Sequence, residues 1–149
     1  MSDLTTAAID LLKDLIELPS FSKQEDKTAD RIGEWFNHYG VPYEREGNNL
    51  WAKNKAFDPQ KPTLLLNSHH DTVKPNTAYT NDPFEAKIVD GKLYGLGSND
   101  AGGALVSLMA LFTHYFDKKN PKYNLLVVAS AEEEIAGDNS LRGLIPKLP

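Results

Sequence analysis

The chain has 149 residues, with 16 Lys and Arg against 21 Asp and Glu, a net charge of -5, four histidines and no cysteine. That length suits one ordinary globular domain, and acidity without a basic stripe argues against nucleic acid as a partner. The lack of cysteine excludes disulfides, thiolate catalysis and cysteine-ligated zinc or iron–sulfur centres, so any metal would be held by His, Asp or Glu.

The opening from Met1 to Thr6 has no basic start, and Asp10, Asp14 and Glu17 break up the apolar residues after it, so no secretory signal is expected. Ile9, Leu12, Leu15 and Ile16 share one helical face, and Pro19 stops that first helix. Ser22-Lys23-Gln24-Glu25 is a capping-box pattern and predicts the start of a second helix. Its apolar stripe, Ala29, Ile32, Trp35, Phe36 and Tyr39, ends at Gly40, a residue suited to a helix C-terminus, with Pro42 beyond. Gly47-Asn48-Asn49 centres a hairpin from Tyr43 to Lys53. Pro59 and Pro62 frame a loop into Thr63-Leu64-Leu65-Leu66-Asn67, whose continuous apolar character reads as a strand buried on both faces. Asp90-Gly91, between Lys87-Ile88-Val89 and Lys92-Leu93-Tyr94, signals another hairpin. A helix is expected from about Ala101 to Phe116, ended by Asn120-Pro121. Its apolar stretch, Ala104 to Phe112, is far short of the ~20 residues needed to span a bilayer. Leu125 to Ala129 reads as a second buried strand, followed by a short helix near Ser140–Ile145. Buried strands alternating with helices define an α/β domain with a mixed, largely parallel sheet and flanking helices.

Three clusters on this map carry chemistry. Ser68-His69-His70-Asp71 and Glu132-Glu133-Glu134 each come directly after a buried strand, and Gly95-Leu96-Gly97-Ser98-Asn99-Asp100 precedes the third helix. In open α/β sheets, ligands bind beyond the carboxyl ends of the strands. Taken singly, His-x-Asp is a loop hydrogen bond, the acidic triplet is a solvated turn, and Gly-x-Gly hints at a phosphate loop whose remaining residues are absent. Taken together in a chain without cysteine, imidazole nitrogens and carboxylate oxygens also make a ligand set for divalent cations. The residues alone leave these readings open. His38 and His114 fall on helices and read as surface or packing residues.

At these residues the sequence resembles the acetylornithine deacetylase, succinyl-diaminopimelate desuccinylase, aminoacylase and glutamate carboxypeptidase family of two-metal amidohydrolases. The likeness runs through Leu18–Ser22, Asn48–Leu50, Leu64–Val73, Asp82–Phe84, Asp90–Asp100 and Ala129–Glu134, and it is nearest to the acetylornithine deacetylase branch. It implies a zinc-dependent exopeptidase-like catalytic domain in which His69 binds one metal, Asp100 bridges two, and Glu134 binds the second. It implies two catalytic residues: Glu133 as general base and Asp71 as the carboxylate that holds the other nitrogen of His69. His70 stands at a variable position and receives no role. The implied cofactors are two divalent ions, zinc or cobalt, and the implied reaction is hydrolysis of the amide of a small N-acyl amino acid, N-acetylornithine in arginine biosynthesis foremost. Ser68 and Ala101-Gly102-Gly103 depart from the family pattern outside the ligand set and bear on substrate.

Members of that family are longer and take further ligands, an acidic residue and a histidine, from beyond the position of Glu134. They also carry a separate dimerisation domain. The expectation is therefore that residues 1–149 form the N-terminal part of the metal-binding catalytic domain of a cytoplasmic, homodimeric enzyme without membrane or nucleic-acid partners. These residues alone are expected to be inactive.

Overall fold

The computed structural model describes residues 3–149; Met1 and Ser2, which begin the opening read for a signal, lie outside the described residues. Helix α1 (Asp3–Glu17) buries Ala8, Leu11, Leu15 and Ile16. The arc is centred one residue away from the expected stripe, leaving Ile9 and Leu12 only half-buried. The reason is that α1 packs against two other helices at once, so its contact arc is wider than a single stripe. Helix α2 (Asp26–His38) buries Thr28, Ala29, Ile32, Gly33, Trp35 and Phe36, and the chain leaves it through Gly40 at φ 64°. A left-handed exit of this kind is where glycine costs least.

Strands β1 (Glu44–Glu46) and β2 (Asn49–Lys53) form the expected hairpin across Gly47-Asn48. Strand β3 (Thr63–His69) is followed by a second hairpin, β4 (Lys87–Val89) and β5 (Lys92–Tyr94), which stands as a separate two-stranded sheet. A kinked turn over Ser98–Gly102 then leads into α3 (Gly103–Tyr115), so the regular helix starts two residues later than expected. Strand β6 (Asn124–Ser130) and a short α4 (Leu141–Leu144), prolonged by a tighter turn to Lys147, complete the chain.

The main sheet has the order β1-β2-β6-β3. It is mixed: β2 runs antiparallel to both β1 and β6, and β3–β6 is its parallel pair. Along β2 and β6 the side chains alternate between two cores. Leu50, Ala52, Val127 and Ala129 point to the face covered by α1, α2 and α3, where Leu11, Ile32, Phe36, Leu105, Met109 and Phe112 are fully buried. Fully burying such a side chain is worth about 1.5–3 kcal/mol, so this is the layer that holds the domain together. Trp51, Leu126 and Val128 point to the other face, covered by Leu144 with Leu141 and Leu148.

The expectation that β3 is buried on both faces does not hold. Leu64 is 52% exposed and Leu65 37%, because β3 is an edge strand of this sheet. Its last residues, Ser68 and His69, are buried. The parallel register, from Thr63 opposite Asn124 to His69 opposite Ser130, ends both strands level with one another. Their outgoing loops therefore leave side by side, which is what builds the site. Among the described residues no helix is long and apolar enough to cross a membrane.

Candidate metal centre at the strand exits

His69 is the last residue of β3 and is held from both sides. Its Nδ1 lies 3.0 Å from the carbonyl oxygen of Asp71 and 3.4 Å from Asp71 Oδ1. Its Nε2 lies 3.1 Å from Asp100 Oδ1 and 3.6 Å from Glu133 Oε2. With acceptors at both nitrogens, the protonated ring is favoured. The hydrogen bond to Asp71 is the main cause, burial opposes it, and the pKa rises to about 9.

Asp71 is completely buried. Burial pushes its pKa up, but His69, the Ser22 hydroxyl and the amides of Glu133 and Glu134 together hold it down at about 2. Ser22 Oγ donates to Oδ2 at 2.7 Å, Glu133 N to Oδ1 at 3.0 Å, and Glu134 N to Oδ2 at 3.1 Å. Asp71 thus does more than orient His69: it fastens the loop after β6 to the loop after β3.

Asp100 arrives from the turn before α3. Gly97, at φ 75°, makes that approach possible: a Cβ there would stand 2.7 Å from Thr72 Cγ2. The Asp100–Ala101 peptide is cis. Asp100 and Glu133 keep largely solvent-exposed carboxylates, with side chains 80% and 57% exposed, whereas Glu134 is half-buried. The Glu134 carboxyl is pushed up, first by burial and then by Asp100, Asp71 and Glu133, with His69 opposing.

His69, Asp100 and Glu134 each offer a ligand atom, all within 4.8 Å of one another. One imidazole nitrogen and two carboxylates, with no sulfur, suit a hard or borderline divalent cation. A cleft of about 290 Å³ opens beside them, lined among others by Thr72, Val73, Tyr79, Ser98, Asp100 and Glu134. His70, given no role from sequence, is a buried core histidine: Nδ1 meets Thr28 Oγ1 at 2.8 Å and Nε2 meets the Asn48 carbonyl at 2.9 Å. His38 and His114 are exposed and far along their helices, apart from the site.

Sequence reasoning misassigns Ser22 and Glu25. Neither caps α2 through its side chain. Ser22 binds Asp71, and Glu25 Oε1 accepts from the Lys23 amide at 2.8 Å and the Glu132 amide at 3.2 Å. The Ser-x-x-Glu spacing marks the helix start, but a non-local partner outcompetes the local cap.

A profile of Peptidase family M20/M25/M40 matches residues 65–148. A succinyl-diaminopimelate desuccinylase of Rhodospirillum centenum is 27% identical over 149 aligned positions, covering 92% of this chain and 38% of that protein. Among solved structures, an M20 family metallo-carboxypeptidase, Sso-CP2 of Sulfolobus solfataricus, superposes with a TM-score of 0.73 at 27% identity, over 99% of this chain and 34% of that one. A dinuclear metal binding peptidase of Bacillus subtilis, YXEP, superposes with a TM-score of 0.70 at 21% identity, over 98% of this chain and 40% of that one. The chain thus spans between about a third and two fifths of the length of these relatives.

Proposed function

This chain belongs to peptidase family M20/M25/M40, and from that premise we propose that it is the N-terminal part of the catalytic domain of a metal-dependent enzyme hydrolysing amide bonds of small N-acyl amino acids or short peptides. The observation that carries the reading is the convergence of His69, Asp100 and Glu134 within 4.8 Å, beside Glu133 and a cleft. The named relatives support it: one is a desuccinylase, one a metallo-carboxypeptidase and one a dinuclear metal binding peptidase.

The donor set fits divalent cations such as zinc or cobalt, which His69, Asp100 and Glu134 would hold. Such ions lower the pKa of a water and polarise an amide carbonyl. The chain's own residues supply the rest. Asp71 fixes the His69 ring through Nδ1, so that Nε2 is the nitrogen presented to the site. Glu133 Oε2, on the exposed side of the cluster, takes a proton from the attacking water and returns it to the leaving amine. Asp71, wholly buried, touches no substrate and acts by positioning.

Three candidate ligands for two ions are fewer than the three plus water that each catalytic zinc would take, so these 149 residues alone are expected to bind metal weakly and to be inactive. The narrower reading is N-acetylornithine deacetylation in a cytoplasmic homodimer; it rests on the sequence blocks around His69, Asp100 and Glu134. Desuccinylase, aminoacylase and dipeptidase activities are the alternatives. The test is an assay of the whole protein against N-acetylornithine, succinyl-diaminopimelate, other N-acyl amino acids and dipeptides, with zinc or cobalt and with chelator. Turnover that disappears in chelator and returns with metal is expected. Turnover indifferent to chelator would overturn the metal reading, and the preferred substrate decides between the branches.

A further inference from the structure

The loop after β6 carries Glu133 and Glu134 outside any helix or strand, and its own backbone bonds there run from Ala136 N to the Glu133 carbonyl and from Gly137 N to the Glu132 carbonyl. Its second residue, Glu132, sits at φ 53°, a left-handed conformation that residues with side chains rarely adopt and that surrounding contacts must enforce. Successive amides across such a residue point to one side and form a concavity for anions. Here two buried carboxylates fill it. Asp71 takes the amides of Glu133 and Glu134, and Glu25 takes the amide of Glu132.

Glu25 is also completely buried. Its Oε1 joins the Lys23 and Glu132 amides, and its Oε2 accepts from Asn48 Nδ2 at 2.9 Å. One side chain thus ties the entry to α2, the β1–β2 turn and the exit of β6. Asn49 Oδ1 takes the next amide back, that of Ala131, at 3.0 Å. Four consecutive amides, Ala131 to Glu134, are therefore each held by a side chain from elsewhere in the chain.

We propose that Glu25 is a positioning residue: by holding the Glu132 amide it sets the register in which Glu133 and Glu134 face Asp100 and His69. This rests on the reading of Glu133 as base and Glu134 as ligand. The role is one of reach and acceptor geometry, not of charge. A glutamine in place of Glu25 keeps one oxygen for both amides and turns its NH2 toward Asn48, whose own amide can rotate to accept. An aspartate keeps the charge but is one methylene too short.

The experiment compares Glu25→Gln, Glu25→Asp and Glu25→Ala in the metal-free chain by residue-resolved amide hydrogen exchange. At least tenfold faster exchange at residues 132–134 is expected in the Asp and Ala variants. The Gln variant should stay near the parent, and the β6 core amides of Val127 and Val128 should be unmoved. In the whole protein, Co2+ affinity, read from its visible absorption, should fall about 10- to 100-fold in the Asp variant and be rescued in the Gln variant, as for other residues that orient ligands. Exchange that rises uniformly through β6 would reduce Glu25 to a stability residue and overturn the proposal. So would the reverse pattern, with Asp retaining and Gln losing, or no change in any variant. If the Ala variant does not fold, the Gln–Asp pair decides by itself. A whole protein without Co2+ affinity counts against the metal reading, and the exchange pattern still decides the role of Glu25.

Discussion

Strands β3 and β6 both carry uninterrupted apolar runs, pair in parallel and end level at His69 and Ser130. Yet β6 is buried nearly throughout between two cores, while β3 is buried only toward its end and exposes Leu64 and Leu65 at the edge of the sheet. Position in the sheet, not apolar content, sets what each residue contributes. In β6 the strand itself is structural cement. In β3 the structural weight lies in the last residues, where the chain turns into the site. The outgoing loops differ in the same sense. Strand β3 ends in one rigidly held imidazole and its loop brings a buried carboxylate, and the β6 loop brings two glutamates on a backbone fastened by other segments.

The largest effect should come from the loops. In the whole protein, Glu133→Gln should lower kcat by about 10²–10⁴, the usual loss for an acid–base group, while bound metal measured by elemental analysis stays near the parent. Glu134→Gln should show the converse, with metal content falling first. Exchanged phenotypes would move the assignment by one residue.

Next in size is the contrast between the strands. Leu126→Ala, in a side chain only 3% exposed, should cost about 2–5 kcal/mol in urea denaturation. Leu64→Ala, 52% exposed, should cost about 0.5 kcal/mol or less. Equal losses would mean that β3 is covered in solution.

A smaller effect is a pH signature of the β3 loop. In chelator, His69 is raised from 6.5 to about 9, so its stabilisation is complete below pH 6.5 and fades as pH rises through 9. Asp71 is lowered from 3.8 to about 2, so its share is complete above pH 3.8 and fades as pH falls through 2. Denaturation midpoints across pH 4 to 10 should decline on the alkaline side, and His69→Gln should flatten that decline. A parent curve already flat there would show that the ring is not held as a cation.

Much of this is legible in the residues alone. Gly47-Asn48 and Asp90-Gly91 place both hairpins because their signals are local turn chemistry. The two clusters read at strand exits are brought together because a parallel pair must deliver its two loops to one edge, and the third, read before the third helix, adds Asp100 beside them. The features that escape the sequence are decided by partners distant along the chain. Ser22 and Glu25 match a helix cap, but Asp71 and the Glu132 amide compete for them, and no spacing rule sees those groups. Leu64 and Leu65 look buried because an apolar run says nothing about which strand is at an edge. The pattern puts Ile9 and Leu12 at the centre of α1's buried face because it does not say how many helices that face must meet.

The bond between the Glu132 amide and Glu25 joins positions 107 residues apart. Loop length by itself adds little cost, about 0.6 kcal/mol per doubling, but a contact this remote gains nothing until the segments between have found their places. Glu25 leaves the ribosome early and must wait for a partner made much later. The glutamate loop can acquire its shape only after β6 has docked beside β2 and β3. Among the described residues, the glutamate loop is thus a part whose shape waits on contacts far away along the chain.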